Sequence, residues 1–144
     1  MRKTSPPSTT FALRLQPGDD LRRTLEAAVK ARGATAAFVL AGSGSLRPAL
    51  WPEASTEPPT QIDEDLELLT LTGSIAAQGA HLHMSVTAAN GPVRGGPVAY
   101  GCTVRTSAEV LVALLPGCHF TRDFTRQADA HIGLDEAVVD EQAG

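Results

Sequence analysis

Two histidines, His81 and His83, lie two positions apart in the alternating stretch Ala80–Thr87. Side chains two apart on a strand share a face of the sheet, so both imidazoles are predicted to point one way, and Leu82 and Met84 the other. Neutral imidazoles bind zinc and other divalent ions, and they titrate near neutral pH. The pair is therefore our candidate for a metal site or for a site that binds a polar or anionic small molecule.

A metal site needs more ligands than this pair supplies. Zinc takes three or four protein ligands, and water completes a catalytic site. His119, His131 and Glu109 are the candidates for a further ligand, from the same chain or across a subunit boundary. The alternative is a polar strand face that lines a cleft or an interface and binds no metal.

Glycine-rich stretches flank this strand and occur once more upstream. Ala89–Pro92 predicts a turn, and the pair Gly95-Gly96 after it is a candidate ligand-binding element. Gly42-Ser43-Gly44-Ser45 offers backbone N–H groups to an anion, but it lacks the lysine and the helix of a phosphate loop. We predict that it forms a tight turn between strands.

The other reactive side chains suggest no catalytic group. Ser43, Ser85 and Cys118 have no visible base and orienting group, so no catalytic triad is proposed. Cys102 lies in an apolar stretch and is expected in the core. A Cys102–Cys118 disulfide stays open, although free thiols are the simpler interpretation. The charged residues of the stretch 122–129 predict a solvated face or ion pairs between subunits.

Length and charge limit the possible functions. A chain of 144 residues fits one domain, and its net charge of −4 argues against broad electrostatic binding to phosphate backbones. No apolar run approaches the roughly 20 residues of a membrane helix. Residues 1–10 are rich in Ser, Thr and Pro, which predicts a disordered tail and no secretory signal. We expect a cytoplasmic protein with a single domain over residues 11–144.

Periodicity predicts an α+β domain, an antiparallel sheet of about six or seven strands flanked by helices. A helix is predicted over Leu21–Arg32 and a loop over Trp51–Asp65. Ser107–Leu115 also begins like a capped helix, but Pro116-Gly117 ends it after a strand-sized length. Strands are predicted at Phe11–Leu15, Ala36–Ala41, Leu46–Leu50, Leu66–Ile75, Ala80–Thr87, Gly95–Val104 and Ser107–Leu115, with a further strand possible in Phe120–Val139.

Five motifs in this order resemble the plants-and-prokaryotes conserved (PPC) domain family. The resemblance spans Phe11 to about Val139, and the order and spacing of the motifs make it more specific than any one of them. The motifs are Leu13–Leu21, Val39–Leu46, Glu67–Gly73, the His81-Leu82-His83 strand with its glycine turn at Gly91–Gly96, and Arg126-x-x-Asp129 followed by Gly133-x-x-Glu136.

The resemblance implies an antiparallel sheet flanked by helices and a homotrimer. Prokaryotic members are described as candidate DNA-binding proteins by analogy with plant members, in which an AT-hook contacts the minor groove while the PPC domain serves assembly and partner binding. This sequence has no Arg-Gly-Arg-Pro hook. We therefore expect a DNA-associated regulatory module that contacts DNA weakly or through a partner protein, with a small-molecule or metal site at His81 and His83 as the alternative.

One position departs from the family pattern where it matters for chemistry. Many prokaryotic members have a third histidine in a Gly-Gly-His sequence after the hairpin, whereas this chain has Gly95-Gly96-Pro97. Pro97 cannot ligate a metal, and it removes a backbone donor from the sheet. A divalent metal such as zinc thus requires a ligand from elsewhere.

Overall fold

The computed structural model describes residues 9–52 and 58–120. Within these residues the chain forms eight strands and one helix. The elements are β1 (Thr9–Leu15), α1 (Leu21–Ala31), β2 (Ala36–Leu46), β3 (Ala49–Trp51), β4 (Thr60–Ile62), β5 (Leu66–Ala76), β6 (Gly79–Ala88), β7 (Val93–Pro97) and β8 (Val104–Leu114).

Six of these strands form one antiparallel sheet in the order β1-β8-β2-β5-β6-β7. The strands β3 and β4 form a separate two-stranded hairpin. The predicted α+β class with a six- or seven-stranded antiparallel sheet is confirmed, with a single helix in the described part of the chain. His81 lies in β6, and this strand is between β5 and the edge strand β7.

The helix α1 forms where the periodicity of Leu21–Arg32 predicted it. The Asp20 carboxylate accepts a hydrogen bond from the Arg23 backbone N–H at 2.9 Å, which satisfies a donor of the first turn. Leu21, Leu25 and Val29 form the buried stripe of the helix. Gly33 follows the helix with a φ of 69°, a conformation that glycine adopts without strain.

The core lies between the helix, the β3–β4 hairpin and one face of the large sheet, which we call the inner face. Its largest fully buried members come from β1, α1, β2, β5 and β6 and are Leu15, Leu21, Leu25, Leu46, Leu68, Leu71, Ile75 and Leu82. Cys102 is fully buried with them, as predicted, and both cysteines are free thiols. The opposite face of the sheet, the outer face, carries no helix of the described chain.

The prediction of a tight turn at Gly42–Ser45 is wrong, because this segment continues β2 without reversing the chain. Its glycines serve close packing between strands. A Cβ on Gly42 would lie 2.9 Å from Leu71 Cβ, and one on Gly44, whose φ is 148°, would overlap the backbone of Ser107 and Ala108. The anion-cradle alternative loses its basis too, since an extended strand forms no nest of N–H groups.

Several strand boundaries also differ from the sequence prediction. No single strand covers Leu46–Leu50, because β2 ends at Leu46 and β3 begins at Ala49. The strand predicted over Gly95–Val104 is the short β7, which ends at Pro97, and the chain then crosses to begin β8 at Val104. The crossing is held by backbone bonds rather than by a ladder, since the Val98 N–H donates to the Leu82 carbonyl and the Leu21 N–H to that of Cys102. The strand interpretation of Ser107–Leu115 is confirmed.

The segment predicted as a loop between Trp51 and Asp65 contains a short strand, β4, so the loop prediction is wrong for Thr60–Ile62. This strand pairs with β3, which precedes the undescribed residues 53–57. Trp51 and Ile62 are buried in the core. Arg47 binds Asp63 and Asp65 at 3.2 and 3.0 Å, which ties the hairpin to the start of β5. No helix in residues 9–52 and 58–120 is long and apolar enough to cross a membrane.

Candidate functional site

The strand β6 alternates as its sequence predicts. Leu82 and Met84 are buried on the inner face, whereas His81 is half-buried and His83 exposed on the outer face. The two imidazoles therefore share a face of the sheet, because β6 contains no bulge between them.

Hydroxyl side chains surround the two imidazoles on the neighbouring strand β5. Ser74 lies opposite His81, and Thr72 lies opposite His83. One step further along the pair, the hydroxyl oxygens of Thr70 and Ser85 are 2.6 Å apart in a hydrogen bond. We call this group of histidines and hydroxyl residues the imidazole face; its members are Thr70, Thr72, Ser74, His81, His83 and Ser85.

Among the described residues, no further metal ligand forms a group with the pair. Within residues 9–52 and 58–120, no three His, Cys, Asp or Glu side chains come together as a metal-binding group. Glu109 is paired with Arg14 at the β1 side of the sheet, and His119 is exposed after the end of β8. The strand pairing sets Pro97 directly opposite His83. His131 lies outside the described residues, as do Arg122, Asp123, Arg126 and Asp129.

The glycine pair has a packing reason of its own. A Cβ on Gly95 would overlap the Met84 carbonyl oxygen, and one on Gly96 would lie 3.1 Å from the Trp51 ring. Both glycines therefore let β7 lie close to β6 and to the hairpin residue Trp51. This accounts for the glycines without a ligand, and their predicted role in ligand binding stays a prediction.

Three exposed leucines on the outer face form a feature that the sequence did not predict. Irregularities in the strand pairing, typical of β-bulges, fall at Leu40 of β2 and Leu69 of β5, and these residues are 54% and 39% exposed. Leu111 of β8 is 40% exposed between Ala12 and Ala41, its partners on the adjacent strands. We call these five residues, Ala12, Leu40, Ala41, Leu69 and Leu111, the apolar patch.

The apolar patch and the imidazole face lie on the same face of one sheet. Leu69 immediately precedes Thr70, and the rest of the patch continues across β2, β8 and β1. Isolated apolar side chains on a surface are ordinary, whereas a contiguous group is typical of an interaction site. The single signal in the sequence was a pair of adjacent leucines, Leu68-Leu69, that breaks the alternation of β5.

A carboxylate on the helix fixes the start of the histidine strand. Glu26 accepts hydrogen bonds from the Ala80 N–H at 2.9 Å, from the Tyr100 hydroxyl at 2.9 Å and from Arg22 at 3.0 Å. Burial raises the pKa of Glu26, but these three donors outweigh burial, so the pKa lies below its usual 4.5. Glu26 thereby links α1, the crossing segment and the residue next to His81.

We expect Glu26→Gln to lower the free energy of unfolding at pH 7 by about 1–2 kcal/mol, since a charge-assisted hydrogen-bond group is lost. A depressed carboxyl pKa contributes stability that is present above the unfolded-state pKa and is lost as pH falls through the folded-state value. Urea unfolding at several pH values should therefore show a smaller loss of stability on acidification in the variant than in the wild type. Glu67→Gln, at an exposed position of β5, is the control, and equal pH slopes in all three proteins would contradict the prediction.

The charges of the described residues balance. Eight basic and eight acidic side chains lie in residues 9–52 and 58–120. Five of the basic side chains form ion pairs with acidic neighbours there: Arg14, Arg22, Arg23, Arg47 and Arg105. A basic surface of the kind that binds phosphate backbones is thus absent from the described part of the chain.

Comparison with known proteins decides the family. The model of the Plants and Prokaryotes Conserved (PCC) domain matches residues 2–116. The chain belongs to this family. The resemblance inferred from the motifs is thereby confirmed, and the PCC match ends just after β8, before the last of the five motifs.

Among curated proteins, the chain is 37% identical over 134 residues to a bifunctional protein GlmU of Synechococcus sp. strain JA-2-3B'a(2-13). The alignment covers 93% of this chain and 21% of that protein. The chain therefore spans about a fifth of the length of the curated relatives it matches.

Several solved structures share the fold of this chain. A hypothetical protein of Salmonella enterica superposes with a TM-score of 0.77 at 32% identity, over 85% of this chain and 88% of that one. A metal-containing protein of Archaeoglobus fulgidus superposes with a TM-score of 0.65 at 26% identity, over 80% of this chain and 86% of that one. A candidate DNA-binding protein of Ralstonia eutropha JMP134 superposes with a TM-score of 0.63 at 25% identity, over 81% of this chain and 86% of that one.

Proposed function

We propose that this PCC-domain chain is an assembly module that forms a homotrimer through the outer face of its sheet. The observation that carries the proposal is the apolar patch, whose three leucines are exposed on a face that α1 does not cover. Burying apolar area contributes about 25 cal/mol per Å², which favours contact with another copy. The number three comes from the family resemblance.

The molar mass in solution tests the proposal. Light scattering coupled to size exclusion should give about three times the 15.0 kDa chain mass, and the value should stay constant on tenfold dilution. A chain that elutes as a monomer at micromolar concentration would overturn the trimer.

For DNA we propose association through a partner protein rather than direct readout. The DNA-binding description belongs to the Ralstonia eutropha relative, and the family resemblance supports the same association here. The balanced charge of the described residues and the lack of an AT-hook sequence argue against a strong contact by this chain alone. The proposed compartment is the cytoplasm, where the free thiols of Cys102 and Cys118 fit a reducing environment.

We expect the isolated protein not to shift a mixed-sequence duplex in a gel at about 150 mM salt, and to shift it only weakly at low salt. The physical reason is that phosphate contacts supply most non-specific affinity and weaken steeply with salt. The Ralstonia eutropha relative serves as the comparison protein. A tight, salt-resistant shift by this chain would contradict the partner-mediated role.

A second candidate function is a small-molecule or metal site at the imidazole face. It is favoured by the shared orientation of His81 and His83 beside hydroxyl groups, and by the metal-containing relative from Archaeoglobus fulgidus. One chain does not supply a complete ligand set from its described residues, because Pro97 stands opposite His83 and no third ligand lies near. A metal would need a ligand from outside the described residues, such as His131, or from another subunit.

Elemental analysis separates the two versions of this site. A protein saturated with zinc and then desalted should retain less than one ion per chain if the imidazole face binds only small molecules. Stoichiometric zinc that disappears in His81→Ala, but not in the control Glu67→Gln, would establish a metal site instead. A thermal shift by small carboxylates that depends on His83 would support the small-molecule version, and its absence together with absent zinc would remove this candidate.

A further inference from the structure

A groove of about 560 Å³ runs between α1 and the turn that joins β5 to β6. Its volume lies in the range of small-molecule sites. Helix residues Arg23, Ala27 and Lys30 form one wall, and Ala77 and Gln78 of the turn form the other. The groove is separate from both the imidazole face and the apolar patch, since neither shares a residue with it.

The groove exists because its walls are built from small side chains. Ala27 and Ala77 are exposed on opposite walls, and Ala34 lies half-buried between them. The buried side chains of Val29 and Ile75 reach the groove from the core. The floor is therefore apolar, and larger residues at the alanine positions would fill it.

The charged side chains on the rim of the groove differ in whether they are free to pair with a ligand. The carboxylate of Glu26 is already occupied by Ala80, Tyr100 and Arg22. Arg23 lies over the Tyr100 ring at 4.3 Å, with its charge still exposed to solvent. Lys30 is exposed in the last turn of the helix and forms no ion pair within the described residues.

We propose that this groove binds a small amphipathic anion, such as a medium-chain carboxylate. The apolar body lies on Val29, Ala34 and Ile75, and the anionic group pairs with Lys30, with the Gln78 amide as a hydrogen-bond donor. The charge complementarity favours an anion over a neutral or cationic ligand of equal size, because the one rim carboxylate, Glu26, already accepts hydrogen bonds from donors within the protein. The proposal does not depend on the trimer or on the imidazole face.

Calorimetric titration of the full chain with decanoate tests the groove, with decanol and decyltrimethylammonium as ligands that keep the chain length and change the charge. We expect decanoate to bind once per chain and about tenfold more tightly than either control. Lys30→Gln should remove this preference, and Ala27→Trp should abolish binding by filling the groove. Both substitutions are at exposed helix positions, and circular dichroism verifies that the variants are folded.

The control variant Leu40→Gln alters the apolar patch and leaves the groove intact. Decanoate binding that survives Leu40→Gln and is lost in Ala27→Trp supports the groove. Binding that is lost in Leu40→Gln but kept in Ala27→Trp would locate the anion on the outer face and overturn the proposal. Equal affinity for the three ligands, or no binding of decanoate at millimolar concentration, would overturn it as well.

Discussion

Gly73→Ala is expected to lower the free energy of unfolding by at least about 4 kcal/mol, leaving little folded protein at 37 °C. Gly73 lies in β5 beside the histidine strand with a φ of 141°, a conformation open mainly to glycine. A Cβ there would overlap the His81 carbonyl oxygen and lie 2.9 Å from Leu82 Cα. Both atoms belong to the backbone of β6, so the two strands would have to separate. Thermal melting followed by circular dichroism measures the loss.

The matched control is Gly33→Ala at the end of α1. Gly33 also has a positive φ, 69°, but a Cβ there would meet no atom within 4 Å. Gly33→Ala should therefore lower the free energy of unfolding by about 1–2 kcal/mol, which is the cost of placing alanine in the left-handed backbone conformation. Equal melting temperatures for the two variants would show that close strand contact at Gly73 does not limit stability, and would contradict the packing of β5 against β6 described above.

Leu111→Glu is expected to convert the proposed trimer into monomers without unfolding the chain. Leu111 lies in the middle of the apolar patch, flanked by Ala12 and Ala41 on the neighbouring strands. Its side chain is 40% exposed in the single chain, so the glutamate remains solvated in the monomer. In an assembly the same carboxylate would be buried without a partner, at a cost of several kcal/mol per subunit. Sedimentation velocity at micromolar concentration measures the change.

Val93→Glu is the control for this experiment. Val93 is the most exposed large apolar residue among those that the structure describes, at 64%, but it lies on the edge strand β7 away from the patch. A general effect of surface charge would dissociate both variants alike, whereas an interface at the patch requires that Leu111→Glu dissociate and Val93→Glu remain assembled. A Leu111→Glu protein that keeps the wild-type mass would remove the patch as the interface.

If the trimer forms through this face, the imidazole face lies at or beside the contact between subunits. The Leu69–Thr70 step in β5 joins the apolar patch to the hydroxyl groups around His83. A ligand that one chain lacks is then available from a neighbouring copy. Assembly and the second candidate function would thus be linked through residues of the same sheet face.

Two features of the fold were predictable because they depend on local chemistry. The helix α1 follows from the Asp20 cap, the Leu21, Leu25 and Val29 stripe and Gly33, all of which act within a few residues. The orientation of His81 and His83 follows from the two-residue repeat of an extended strand. The family motifs also predicted an antiparallel sheet. The order of the strands in that sheet was known only from the structure.

The errors and omissions have a common physical origin in contacts between distant segments. Gly42–Ser45 has the composition of a turn, but Leu71 and Ala108 of two neighbouring strands pack against it and hold it extended. The role of Glu26 depends on Ala80 and Tyr100, which are 54 and 74 positions away in the chain. Neither contact leaves a mark in the local sequence.

By itself, the sequence determined the helix, the alternation of β6 and the family, because each is written in residues close together or in an ordered set of motifs. Only the tertiary structure decided which leucines are exposed. The pairing of β2 and β5 with their neighbouring strands places irregularities at Leu40 and Leu69, where the alternation of buried and exposed side chains is interrupted. It also decided that Pro97 faces His83 across β6 and β7. Strand register is a property of two chain segments at once, and a periodic pattern in either one leaves it open.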